Sequence, residues 1–215
     1  MKISLLCSDT NHPVNTYLRA WIDTQQGLHE VELVQRKKEL AGGDILFLIS
    51  CSEIIHAKDR EKYSASLVLH ASDLPKGRGW NPHIWEIING ANAIKLSLLE
   101  AEDKVDSGRV WKKLDILVPK HALWDEINQL LFEAEVHLIN FAVQHFGTAL
   151  PVPQKVINEA SYYPKRTPAD SQIDVNKSIA EQFDLIRVCD PNRFPAYFEY
   201  HGMRYTLKLE KTHDQ

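Results

Sequence analysis

The stretch LVLHASDLPKGRGWNP, residues 67 to 82, decides how the chain is read. The apolar run from Leu67 to Leu69 stops at His70 and gives way to a polar turn with Pro75, Lys76, Gly77, Arg78 and Gly79. PHIWEIING, residues 82 to 90, then returns to a short helical pattern closed by glycine. This pattern predicts a buried strand that delivers the His70 side chain to its carboxyl end. Taken alone, such a histidine reads as a structural hydrogen-bonding residue, so its neighbours must decide whether it does chemistry.

Upstream, KISLLC (2–7) reads as a first buried strand and HPVNTYLRAWIDTQQ (12–26) as a helix with proline in its first turn. HEVELVQ (29–35) alternates as a strand, and GGDILFLIS (42–50) reads as a central parallel strand because it is apolar almost throughout. Downstream, AIKLSLLEAE (93–102) and RVWKKLDILV (109–118) alternate and are expected to pair. A long amphipathic helix runs from Leu123 to Phe146, with Leu123, Ile127, Leu130, Leu131, Ala134, Leu138, Ile139 and Ala142 on its apolar stripe. The order predicts an α/β fold, a Rossmann-like, mainly parallel sheet with helices on both faces, in residues 1–150. Residues 151–215 are expected to form a small extension: a proline-rich connector, a helix capped by Asn176 or Ser178, and a β-hairpin turning at His201-Gly202. In such sheets ligands bind beyond the carboxyl ends of the strands, where His70, SCSE (50–53) and CSDTNHP (7–13) all fall.

The composition bounds the function. A formal net charge of -4 over 215 residues gives no drive toward nucleic acid. The opening MKISLLCSD is too short for a secretory h-region, and no apolar run is long enough to span a bilayer. Three scattered cysteines, Cys7, Cys51 and Cys189, fit reduced thiols. The expectation is a cytoplasmic protein, monomer or homodimer, with no membrane partner, no nucleic-acid partner and no metal.

Beyond His70, the chain carries Ser72, Leu74, Pro75, Arg78, Gly79 and Pro82, then Asp106 and Gly108 in a D-S-G turn. This order resembles the 10-formyltetrahydrofolate-dependent formyltransferases, with N-x-H-x-S-x-L-P, R-G and P followed by an aspartate in a D-x-G turn. The likeness continues through Tyr163, Pro164, Lys165, Ile173, Asp174, Ile186, Arg187, Pro195 and Ala196, and spans most of residues 44 to 202. It implies the formyltransferase fold and 10-formyltetrahydrofolate as formyl donor. It also implies His70 and Asp106 as the catalytic pair. The chemistry of the residues agrees: formyl transfer to an amine builds charge on an oxygen that an imidazole N–H can stabilise, and a carboxylate orients the imidazole and relays the proton. The resemblance places the donor's pterin between Ile49, Ser50 and Cys51 on one side and Ala101, Asp103 and Val105 on the other. One departure stands out: the family asparagine two residues before the histidine is Val68 here. Ser50, Cys51 and Asn81 are the candidates to replace its hydrogen bond.

For the acceptor, the ending of the chain, its acidity and its YYPKR and FPAYF segments resemble the nucleotide-amino-sugar N-formyltransferases, closest to the pseudaminic-acid pathway type. That implies a UDP-linked 4-amino-4,6-dideoxy sugar, UDP-4-amino-4,6-dideoxy-N-acetyl-β-L-altrosamine, in bacterial surface glycan biosynthesis. Candidate acceptor contacts are Asn11, His12, Lys76, Arg78, Trp80 and Asn81, with Arg78 suited to a phosphate. Helix capping is the competing reading for Asn11 and His12. Packing competes for Trp80, and for Phe194 and Tyr197, which would otherwise stack on a base. The alternatives are a methionyl-tRNA formyltransferase-like enzyme and a non-catalytic nucleotide-sugar binder, the latter motivated by Val68.

Overall fold

The computed structural model describes residues 1–155 and 161–212. Its elements are β1 (Lys2–Leu6), α1 (Val14–Thr24), β2 (Glu30–Val34), β3 (Gly43–Leu48), α2 (Ala57–Arg60), β4 (Tyr63–His70), β5 (Arg78–Gly79), α3 (Pro82–Ile88), β6 (Ala93–Glu100), β7 (Val110–Leu117), α4 (Trp124–Gln144), β8 (Tyr162–Tyr163), α5 (Ile179–Arg187), β9 (Ala196–Tyr200) and β10 (Met203–Leu207). Six strands form one sheet in the order β2-β1-β3-β4-β6-β7. The pairings of β1 with β2 and β3, and of β3 with β4, are parallel; those of β6 with β4 and β7 are antiparallel. This is the mainly parallel α/β sheet expected, with β3 central between two parallel neighbours.

The pleat explains both faces. Ile3, Leu5, Ile45, Phe47, Leu67 and Leu69 point into one core, where α1, α3 and α4 lay Leu18, Trp21, Ile87, Ile127, Leu138 and Ile139. Leu6, Val34, Leu46 and Leu48 point the other way into a smaller cluster with Leu40 and Ile55. Leu40 follows the 3-10 turn at Lys37–Glu39 and Ile55 precedes α2, so these two single-turn helices adjoin that cluster.

The C-terminal segment is laced onto the sheet. Val152 bridges to Val110, β8 pairs with β5, and the buried Arg187 guanidinium donates to the carbonyls of Pro119 and Ala122, both at 3.2 Å. Ser178, not Asn176, caps α5, accepting from the Glu181 amide at 3.3 Å. The hairpin turns at His201-Gly202, both with positive φ, as the sequence predicts. No helix among the described residues is long and apolar enough to cross a membrane.

Candidate active site

His70 is the last residue of β4, two positions after Val68, so the two side chains project from the same side of the sheet. The imidazole is buried at 7% exposure and held at both nitrogens. Nε2 lies 2.9 Å from the Gly77 carbonyl and Nδ1 lies 3.5 Å from Asp106 Oδ1. A carbonyl only accepts, so Nε2 carries a proton, and Nδ1 is left facing a carboxylate. Asp106 is equally enclosed, and its second oxygen accepts from the Gly79 amide at 3.0 Å. Residues 36 positions apart in two separate turns thus meet around one histidine.

Asp106 occupies the left-handed region with φ 55, a conformation that costs a non-glycine residue on the order of 1–2 kcal/mol and persists only where its surroundings impose it. The opposing loop, 72–80, is tied down at several points. Ser97 Oγ donates to the Ser72 carbonyl at 2.7 Å, Lys113 Nζ to the Leu74 carbonyl at 2.6 Å, and the Gly77 amide to Ser161 Oγ at 2.8 Å. The Arg78 and Trp80 amides donate to the carbonyls of Ser161 and Tyr163. Gly79 has φ 96, and a Cβ there would collide with the Tyr163 carbonyl, so only glycine permits this close approach of β5 to β8.

The residues assigned to the formyl donor flank Val68. Cys51, Ala101 and Val68 each pack, partly buried, against the smaller core cluster. The Ile49 and Ala101 amides already donate to the carbonyls of Leu6 and Ser66, so these residues offer carbonyl groups rather than donors. Ser50 is exposed with φ 48, and Val105 is 54% exposed. Asp103 is paired with Arg60 at 2.7 Å. Burial pushes the Cys51 thiol up; its sulfur accepts from Ser8 Oγ and its S–H points at the Glu53 carbonyl.

The acceptor candidates fare unevenly. Arg78 is turned inward: its Nη2 donates to Gln154 Oε1 at 2.9 Å and its Nε is sealed from solvent. His12 accepts the Val14 amide at the start of α1 with its ring edge against Phe132, and burial brings its pKa down to about 4. It is therefore a neutral capping and packing residue at pH 7. Asn11 and Lys76 are exposed, Asn81 starts α3 with φ 47, and Trp80 is 41% exposed beneath Lys165 Nζ. Phe194 stands exposed, so core packing does not describe it, whereas Tyr197 is buried.

Three residues absent from the sequence reading adjoin the pair. Gln154 and Ser161 reach it from the connector. His83 lies in the first turn of α3, and burial, with His70 nearby, lowers its pKa to about 3. Nothing in the sequence marks Gln154 or Ser161, because a proline-punctuated stretch has no period to read.

No protein-family model matches the chain. In sequence it is similar to the methionyl-tRNA formyltransferase of Protochlamydia amoebophila (strain UWE25), 29% identical over 175 residues, which cover 79% of this chain and 54% of that protein. The chain thus spans about half the length of that relative. In structure it is similar to the methionyl-tRNA formyltransferase from Clostridium thermocellum (TM-score 0.81, 21% identity, 95% of this chain and 90% of that one). HypX from Aquifex aeolicus in complex with tetrahydrofolic acid gives TM-score 0.79 at 23% identity, over 95% of this chain and 36% of that one. A 4-N formyltransferase from Francisella tularensis gives TM-score 0.73 at 16% identity, over 99% and 98%. The chain is thus similar to formyltransferases in sequence over most of its length and shares their fold over nearly all of it.

Proposed function

We propose that the chain transfers a formyl group from 10-formyltetrahydrofolate to the amine of a nucleotide-linked sugar. The observation that carries this reading is the enclosed His70–Asp106 pair at the carboxyl end of β4, with Gly77 fixing the proton on Nε2. The residues present fit the donor: Val68, two positions before His70 on the same face of β4, and Cys51 and Ala101 are partly buried apolar side chains on one core cluster, suited to a pterin ring. When bound, the donor supplies a formyl carbon whose bond to a folate nitrogen is replaced by one to the acceptor amine, with one proton passing from the amine to that nitrogen. His70 presents Nε2–H to the oxygen that gains charge, exchanging the Gly77 carbonyl for it. Asp106 holds Nδ1 and balances the charge of the imidazole as the proton passes.

For the acceptor, the 4-N formyltransferase and other sugar N-formyltransferases among the structural neighbours support an amino sugar, and the specific reading is a UDP-linked 4-amino-4,6-dideoxy sugar. With Arg78 turned inward, Lys76, Trp80 and Asn81 are the exposed candidates of this loop for contacting it. The test is an assay of tetrahydrofolate release with 10-formyltetrahydrofolate and a panel of amines. Turnover is expected with UDP-linked 4-amino sugars and none with methionyl-tRNA. A strong tRNA signal would replace this reading with that of the curated relative, and no turnover with any amine would leave the binding-module reading.

Val68 favours that second reading, a formyltransferase-like binder, because an aliphatic side chain cannot donate to the formyl oxygen. Of the three replacement candidates Cys51 packs against the same cluster as Val68, and its S–H would leave the Glu53 carbonyl to donate to the formyl oxygen. Cys51→Ala is therefore expected to cut turnover about tenfold with little change in KM, while Ser50→Ala and Asn81→Ala change it less than about twofold. A large gain from Val68→Asn, with Cys51→Ala silent, would show that no replacement donor operates.

A further inference from the structure

The connector between α4 and α5 does more than link them. Gln154 Nε2 donates to the carbonyls of Asp106 and Gly108, both at 2.9 Å, while Oε1 accepts from Arg78 Nη2. The orientation of the amide is unambiguous, since carbonyls only accept and a guanidinium only donates. One side chain therefore clamps the first and last carbonyls of the D-S-G turn and ties the turn to the R-G loop. The Gly79 amide of that same loop donates to the Asp106 carboxylate. Asp106 sits in the left-handed region, so its carboxylate stays on His70 only while its backbone is held there. Gly108 is constrained by close approach instead: a Cβ there would strike the Glu100 carbonyl, so the end of the turn lies tight against the end of β6.

We infer that Gln154 is a positioning residue for formyl transfer, one that sets the Asp106 carboxylate against His70 by holding the left-handed turn. The inference rests on the reading of His70 and Asp106 given above. It differs from a general stabilising role because one bonded carbonyl belongs to Asp106 itself and the other closes the same turn.

The experiment compares Gln154→Ala and Gln154→Glu, each alone and with Asp106→Asn, in the tetrahydrofolate-release assay. Glutamate has nearly the same shape and keeps an acceptor for Arg78, but it offers no donor to the two carbonyls. Both single variants are expected to lose about tenfold or more in kcat with KM for the formyl donor within about twofold. Glutamate should be no better than alanine, and the pH profile of kcat should move in both. Added to Asp106→Asn, Gln154→Ala should cost nothing further, because the group it positions is already gone. Native kcat in folded Gln154→Glu, or an undiminished tenfold loss in the Asp106→Asn background, overturns the inference. If Asp106→Asn itself keeps native turnover, it is the formyl-transfer reading that fails, and the inference falls with it.

Discussion

His70→Ala and Asp106→Asn are each expected to lose at least about a hundredfold in formyl-transfer turnover while the fold survives. The fold survives because the loop around His70 does not depend on it. Ser97, Lys113, Ser161 and Tyr163 hold residues 72–80 by contacts that neither substitution touches. Asparagine at 106 still gives the Gly79 amide an oxygen, and its amide group then faces His70 Nδ1. That replaces the negative charge with a donor to Nδ1, so Nδ1 is held unprotonated and the imidazole can no longer be stabilised as it gains charge. The double variant should be about as slow as the slower single one, since the two side chains act as a unit. Single-turnover rates with the best amine acceptor, alongside circular dichroism to confirm folding, are the measurement. Near-native turnover in either folded variant would remove that residue from the mechanism.

How much of this was readable beforehand follows from the range of each interaction. Strands β3 and β4 announce themselves through short apolar runs bounded by glycine or by His70, and α4 through its long stripe. The two-residue strands β5 and β8 leave no such trace: their pairing joins Arg78 to Tyr162, and neither segment is long enough to show a period. Helix α2, four residues long, escapes for the same reason. In the site, His70 and Asp106 stand out because their spacing within a motif carries the resemblance. Arg78 shows the limit of reasoning from residue type alone. A guanidinium suits a phosphate, but here it meets Gln154, 76 positions away, and only the folded chain reveals that contact. Val68 remains a difference visible in sequence whose consequence depends on what packs beside it.

The stripe of α4 also contains a misfit that the fold makes consequential. Glu135 lies four residues after Leu131 and four before Ile139, on the buried face, and is 5% exposed. Its Oε2 has no hydrogen-bond partner, and burial raises its pKa to about 8. The folded state therefore holds a proton that the unfolded chain releases above its ordinary value of 4.5. Stability from this group is full below pH 4.5, falls as pH rises, and is lost once pH passes about 8. His12 and His83 act in the opposite direction. Their pKa values lie below 6.5 in the fold, so the unfolded chain takes up protons first and stability falls as pH drops below 6.5. Together the three groups place maximum stability near pH 6.5, where the histidines are largely neutral and the Glu135 penalty is incomplete. Glu135→Gln keeps the shape and removes only the titration. It is expected to stabilise the protein at pH 8.5 by on the order of 4 kcal/mol and to change little at pH 4.5. Urea unfolding midpoints of both proteins across this range read the effect directly, because the slope of the transition should not change. If the two midpoints differ by the same amount at pH 4.5 and 8.5, Glu135 is not protonated in the fold, and its burial must be compensated by a partner.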